Sequence, residues 1–287
     1  MDYSAMIQNR KSVREFQDTK IPDTMLAEIK RYYDGECGRL VPFIGTELCL
    51  FGAGSREKLK GAAGYNEFMI GNADYFAILS DEAEYMAENA GFIAEDLILH
   101  MTELGLGTCW LTFKDGEAVK KALGIESDRR VAALAAFGIE KKAAKRVFLN
   151  IQNISKVDSV KREFYAPRLG IESLVFSGKW GNKAGVDEEI GDMDHPLWQA
   201  LYAASLAPSY LNRQPYGFVL DGGKVVLISK DDAYTDENEQ KLNLGIVMLH
   251  FAAVAEQTLG KRTWTLGAYD KDLGLPSGCR AVAFCKL

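Results

Sequence analysis

Three short stretches carry residue types and spacings that could do chemistry. Arg10-Lys11-Ser12-Val13-Arg14 places three cations and a hydroxyl within five residues, close to a short helical segment. Arginine presents a planar fork that matches phosphate oxygens, and lysine adds a point charge. The run reads either as a grip on an anion or as a solvated basic turn. Pro208-Ser209-Tyr210-Leu211-Asn212-Arg213-Gln214-Pro215 sets Ser, Asn and Gln between two prolines. Proline limits the backbone on either side, and each amide offers donor and acceptor atoms. Such a loop suits the edge of a heteroaromatic ring, or is a polar turn between a helix and a strand. Gly105-Leu106-Gly107-Thr108-Cys109-Trp110-Leu111 is the third. Its glycines allow close backbone approach to a flat ligand, or simply stop a helix that feeds a strand.

Other chemistries are poorly supplied. The five cysteines (Cys37, Cys49, Cys109, Cys279, Cys285) are odd in number and none has CxxC spacing. A disulfide framework is not expected. The histidines are His100, His195 and His250, with no HExxH, so no metal site is expected. His100 and His250 lie on long helices and read as packing or interfacial residues. Cys109 reads as small packing beside a flat ligand, with a reactive thiol as the alternative. Gly52-Ala53-Gly54-Ser55-Arg56-Glu57 begins GxG but has no third glycine and no Gly-Lys-Ser/Thr ending, so it is not taken as a dinucleotide loop. The net charge of -6 argues against a nucleic-acid partner. No run of about 18 apolar residues is present, so no membrane span or membrane partner is expected. The polar start MDYSAMIQNRKSVREF has no apolar leader stretch. A cytoplasmic location is the expectation.

The elements that must position these residues follow from periodicity. Asp2 or Ser4 could cap a first helix. A second runs over Thr24 to Tyr33, and residues 34–64 read as irregular. Tyr75 to Leu79 is a buried-strand candidate. Glu84 to Leu104 is the strongest helix, ending at Gly105. Lys114 to Leu123 is a helix and Val131 to Phe137 a strand. Residues 140–192 read as a connecting arm with a short helix at Ile171 to Phe176. Leu197 to Ala207 and Leu242 to Leu259 are helices, 217–220 and 224–229 a hairpin, and Arg280 to Cys285 a strand. Asn89-Ala90-Gly91 in one long helix is echoed by Asn243-Leu244-Gly245 in the other. At 287 residues the chain is long for one domain, given about 100–200 residues per domain. Two related halves of unequal length account for it, in three parts: 1–150, a connecting arm 151–195, and 196–287.

Together the three stretches are far more specific. Arg-Lys-Ser-Val-Arg-Glu-Phe resembles the opening signature of the FMN-dependent nitroreductase family. Ala-Pro-Ser-x-x-Asn-x-Gln-Pro-Tyr resembles its second signature, which usually ends in Trp, and Gly-Leu-Gly-Thr-Cys-Trp-Leu its third. The resemblance implies an α+β fold, a mostly antiparallel sheet wrapped by helices. In the family the second signature follows soon after the first. Here that place holds Asp34-Gly35-Glu36-Cys37-Gly38-Arg39-Leu40-Val41-Pro42, and the loop comes only at Pro208. The chain therefore resembles the fused-half branch, a single-chain pseudo-dimer with one composite FMN site and, by expectation, a monomer.

The resemblance assigns cofactor-binding roles and no catalytic acid, base or nucleophile. Arg10, Lys11 and Ser12 would hold the FMN phosphate and ribityl chain, and Arg14 the pyrimidine edge of the ring. Thr108, Cys109, Trp110 and Leu111 would line one face and edge. Pro208, Ser209, Tyr210, Asn212 and Gln214 would close over the ring from the other half. Arg168, with Arg146 as its rival, would reach the phosphate, and Asn66 the flavin carbonyls. The implied activity is ping-pong: NADH or NADPH gives hydride to flavin N5, and a small electron-poor acceptor such as a nitroaromatic or quinone takes it. A non-catalytic flavin-binding sensor or carrier, or another flavin chemistry such as dehalogenation, is the alternative.

Overall fold

The computed structural model describes residues 1–64, 69–141, 146–153, 156–162, 167–183 and 195–287; for 146–153 and 156–162 only the backbone strands are considered. Helix α1 (Tyr3–Asn9) starts at Asp2, whose carboxylate accepts the Ala5 N–H at 3.1 Å. Helix α2 (Asp23–Gly35) buries Ile29, Tyr32 and Tyr33. Strand β1 (Thr46–Phe51), helix α3 (Ser55–Leu59) and strand β2 (Asp74–Ser80) follow. Then come helix α4 (Met86–Glu103), strand β3 (Gly107–Trp110), helix α5 (Gly116–Leu123) and strand β4 (Arg130–Gly138). These strands form an antiparallel sheet in the order β1-β2-β4-β3.

Strands β5 (Arg146–Asn153) and β6 (Lys156–Arg162) pair with each other in the arm, and β7 is Val175–Ser177. Helix α6 (Pro196–Ser205), strands β8 (Tyr216–Leu220) and β9 (Lys224–Lys230), helix α7 (Glu237–Leu259), and strands β10 (Trp264–Leu266) and β11 (Cys279–Lys286) complete the chain. The second sheet runs β8-β9-β11-β10, again antiparallel, with β7 added parallel to β8. Each half thus repeats helix, strand, strand, long helix, strand, strand, in the same sheet order. The internal echo in the sequence is a repeat of architecture, and the expected α+β fold of two related halves is what the chain forms.

The expected helices and strands appear within a few residues of their predicted bounds; α3, the β5-β6 pair in the arm and β10 are not among the expected elements, and three further differences have a local reason. Residues 46–51 form β1 inside the stretch that read as irregular; it is a short edge strand whose partner in the sheet is β2. The helix expected at 171–176 is a 3₁₀ turn, Ile171–Ser173, that gives way to β7. Val175 and Phe176 favour the extended backbone, and they pair with Phe218 and Val219. Helix α7 begins at Glu237 rather than Leu242. Its polar first turn has no apolar period to read, but the Asp236 carboxylate caps it through Glu239 N–H at 2.8 Å.

The halves join along α4 and α7. The crossing is set by the echoed residues. A Cβ on Gly91 would sit 3.0 Å from the Leu242 carbonyl carbon and closer still to its oxygen. A Cβ on Gly245 would sit 2.8 Å from the Glu88 carbonyl carbon and 2.9 Å from Phe92 N. Each glycine therefore lets the other helix's backbone into contact. Helix α7 is long and apolar enough by composition to cross a membrane, but 67% of that window is buried inside the protein. Phe92 and Leu99 of α4 pack in one core with α6, α7 and the second sheet.

The echoed asparagines hold the two corresponding loops. Asn89 Oδ1 accepts the Val41 N–H at 2.9 Å, and Asn243 Oδ1 accepts the Tyr210 N–H at 3.3 Å. Both asparagines are buried. Asn89→Ala and Asn243→Ala are each expected to cost about 2 kcal/mol, because a buried N–H loses its acceptor. Urea unfolding midpoints of the two variants check this. Two shifts of similar size are expected.

Candidate functional site

The first and third signatures are brought together. Arg10 is the C-cap of α1. The chain then runs alongside β3, with a parallel bridge between Ser12 and Thr108 and the Val13 N–H donating to the Thr108 carbonyl at 2.8 Å. Gly107 is required here, since a Cβ would fall 2.8 Å from a Val13 methyl. Thr108, Cys109 and Leu111 are buried, and Trp110 is partly so. Burial pushes the Cys109 thiol up, with Arg14 and Arg10 pulling against it. That state suits packing rather than nucleophilic attack, and all five cysteines are free.

Arg10 points inward. Its side chain is 4% exposed and its Nε lies 3.4 Å from Glu95 Oε1 on α4. Nε and Nη1 are both buried without a hydrogen-bond partner. Glu95 is fully buried, and two further side chains meet it besides Arg10. Trp110 Nε1 donates to its Oε2 at 2.8 Å, and His250 Nε2 of α7 lies 3.1 Å from its Oε1. The other His250 nitrogen, Nδ1, faces the Ala203 carbonyl at 3.0 Å. Burial pushes the Glu95 carboxyl up, but Arg10, His250 and Trp110 together hold it below the ordinary carboxylate range. Its neighbour Asp96 goes the other way. Burial raises it despite bonds from Gly38 N–H (2.6 Å), Tyr3 OH (2.8 Å) and Tyr32 OH (3.1 Å).

The second signature is built from its own backbone. Ser209 Oγ accepts the Gln214 N–H at 2.9 Å. Gln214 is buried; its amide donates to the Ser205 carbonyl at 3.2 Å and accepts the Leu169 N–H at 2.8 Å. Asn212 Nδ2 donates to the Pro167 carbonyl at 2.6 Å. Leu211, Asn212 and Gln214 all have left-handed backbone, with φ of 47, 56 and 50°. A conformation that disfavours side chains is held by these bonds and by Asn243. Pro208 is buried beneath the loop, and Tyr210 is partly exposed.

Arg168 lies behind this loop. It donates to the carbonyls of Ser205 (3.4 Å) and Ala207 (3.0 Å), at and just past the end of α6. Burial lowers its guanidinium below the usual arginine range, and it feels both Arg10 and Glu95. A cluster thus forms from Arg10, Trp110, Glu95 and His250, with Arg168 within electrostatic reach of it. Beside it a cleft of about 310 Å³ opens between Ile7 and Gln8 of α1 and Trp198, Tyr202 and Leu206 at α6. The Trp198 and Tyr202 rings stack there at 4.8 Å. A second cleft, about 320 Å³, lies on the first half among Ile21, Leu26 and Phe51, and none of the nominated residues lines either cleft.

Two nominated cations stay outside the cluster. Lys11 is exposed and pairs with Glu140 at 2.7 Å. Arg14 is exposed, with Nη1 at 3.4 Å from the Ser12 carbonyl. Asn66 and the side chain of Arg146 lie outside the described residues. Glu95 and His250 were not nominated from sequence. Their signal is an acid and an imidazole inside apolar helical stretches, Phe92 to Leu99 and Ile246 to Val254. No metal-ligand cluster occurs among the described residues.

The donor set fits an anionic cofactor such as FMN. The buried Arg10 guanidinium lies beside the Glu95 carboxylate, and its Nε and Nη1 have no hydrogen-bond partner. A buried charge left unpaired is costly, so a phosphate is a natural complement.

Comparisons with known proteins bear on the fold and the family. No curated protein matches the chain. The crystal structure of "a putative nitroreductase" from Thermotoga maritima aligns at a TM-score of 0.58 and 17% identity, covering 100% of this chain and 93% of that one. A nitroreductase family protein from Clostridium novyi NT aligns at 0.43 and 21% identity, over 49% of this chain and 86% of its own. An FMN-dependent nitroreductase from Clostridium difficile aligns at 0.42 and 17%, over 48% and 88%. The family described as "Putative TM nitroreductase" matches residues 3–177 and 180–255. That match takes in both halves and all three signatures, and the chain belongs to this nitroreductase family.

Proposed function

We propose that this chain is an FMN-dependent NAD(P)H oxidoreductase with one composite flavin site per polypeptide. It would pass electrons from NADH or NADPH to a nitroaromatic, quinone or similar electron-poor small molecule, the two substrates using the site in turn. The observation that carries this reading is Arg10, a buried guanidinium whose Nε and Nη1 have no hydrogen-bond partner, with Arg168 of the connecting arm within its electrostatic reach. FMN, when bound, supplies reversible hydride transfer at N5.

The chain's own residues bind, orient and exclude water. Arg10 and Arg168 would hold the phosphate, Ser12 and Lys11 would hold the ribityl chain, and Arg14 would meet the pyrimidine edge of the ring. Thr108, Cys109, Trp110 and Leu111 form one wall. Pro208, Ser209, Tyr210 and Asn212 close the other, with Gln214 shaping that loop from inside. The division is 1–150 for the half with the arginine signature, 151–195 for the arm and 196–287 for the half with the proline-bounded loop. Both walls belong to one polypeptide, so a monomer suffices. No nucleic-acid or membrane partner and no resident metal is proposed, and the cytoplasm is the proposed location.

The absorption spectrum and flavin content of the purified protein test this. One FMN per chain is expected, rapidly bleached by NADH or NADPH without oxygen. Two FMN per chain overturn the single site. A bound flavin that is not bleached favours a binding role, and a protein that cannot be loaded with FMN overturns the flavin reading. Arg10→Ala removes a charge-assisted contact of about 1.5–3 kcal/mol, so FMN binding is expected to weaken on the order of tenfold to a hundredfold. Asn212→Ala weakens it less.

A further inference from the structure

Glu95 stands at the one point where both first-half signatures and the second half's central helix converge. It is fully buried in α4. It contacts Arg10 of the first signature at 3.4 Å, Trp110 of the third at 2.8 Å and His250 of α7 at 3.1 Å. The contact to Arg10 is an ion pair at Nε, and both Nε and Nη1 lack a hydrogen-bond partner. A carboxylate this close to a guanidinium in a buried setting favours the rotamers that keep the opposite charges together. Arginine otherwise has many rotamers, and ordering them on ligand binding weakens affinity. His250, held at its far side by Ala203 at the end of α6, keeps Glu95 in place. The Arg168 guanidinium hangs from Ser205 and Ala207, just beyond Ala203 on the same segment.

We propose that Glu95 is a positioning residue, whose charge holds Arg10 and Trp110 in the geometry that receives FMN and, through His250, keeps it in register with the second half's loop. The proposal rests on the FMN reading above.

Glu95→Gln and Glu95→Asp separate charge from shape. Gln keeps the size and can still accept from Trp110, but it cannot balance Arg10. Asp keeps the charge and loses a methylene. FMN affinity, read from quenching of flavin fluorescence on titration into flavin-free protein, is expected to fall at least tenfold in Glu95→Gln and to recover partly in Glu95→Asp. In an Arg10→Met background, Glu95→Gln is expected to cost clearly less FMN affinity than in the wild type, because the part of its effect that runs through Arg10 is already lost. Gln binding FMN as well as or better than Asp, or effects of Arg10→Met and Glu95→Gln that multiply independently, would overturn the proposal and leave the flavin reading intact. A wild-type protein that binds no FMN overturns both. Should Glu95→Gln not accumulate as folded protein, the double variant Arg10→Met/Glu95→Gln is expected to restore soluble yield. A double variant no better than the single overturns the assignment.

Discussion

Gly245→Ala is expected to be among the most destabilising single-methyl changes available to this chain. The added Cβ would lie 2.8 Å from the Glu88 carbonyl carbon and 2.9 Å from the Phe92 nitrogen. Both are backbone atoms of α4 and cannot rotate away as a side-chain tip could. Relief requires the two long helices to move apart, which loosens the core that Phe92, Leu99, Ile246 and Leu249 share. Overpacking of this kind costs about 3 kcal/mol. At about 2–4 °C per kcal/mol for a chain of this class, the melting midpoint falls by about 6–12 °C. Calorimetry or circular dichroism reads it directly. A midpoint within a degree of the wild type would mean that the helices do not cross at these glycines. Alanine normally favours a helix over glycine by about 1 kcal/mol, so even the sign of the result is diagnostic.

Arg10→Met is expected to destabilise by a different route, with a pH signature. The wild-type Glu95 carboxyl is held below its ordinary value against burial, with Arg10 the first of the groups that lower it. A carboxyl lowered in the folded state contributes stability that is present above its unfolded value, about pH 4.5, and is lost as pH falls through the folded value. Without Arg10, burial dominates and the folded value rises above the unfolded one. The sign then reverses: stability is lost as pH rises through the folded value. Removing one partner of a buried ion pair costs about 3–5 kcal/mol. At pH 7 the variant is therefore expected to melt about 10 °C below the wild type. The gap is expected to narrow steadily toward pH 4. Melting curves across that range check it, and a gap constant with pH would refute the charge coupling between Arg10 and Glu95.

Much of the scaffold was legible because its long helices and buried strands carry strong periodicity. α4 and β4 are apolar on the faces that pack, and their bounds shift by only a residue or two. The elements missed are those whose reason lies elsewhere in the chain. β1 is a short edge strand, visible only once β2 is there to pair with it. β7 exists because β8 offers a parallel edge. The site shows the same division. The three signatures could be recognised from local composition, and the structure docks the first against the third. The side chains that connect them could not. Glu95 and His250 are 155 residues apart, and each alone contradicts the apolar helix around it. Gln214 shows the reverse. Its amide looked available to a ligand, yet it is bonded to Leu169 and Ser205 within the scaffold.

The crossing of α4 and α7 also bears on how the chain comes to be folded. During synthesis α4 leaves the ribosome roughly 150 residues ahead of the helix that covers it. Until α7 emerges, the Gly91 face of α4 has no partner, and Glu95 lacks its imidazole. Pairings this distant in sequence form late and slowly. The first half is thus committed to waiting in a partly assembled state with apolar surface uncovered, a state prone to association. Carrying both halves on one chain converts that wait from a search for another molecule into the closing of a tether, whose rate does not depend on how much protein is present.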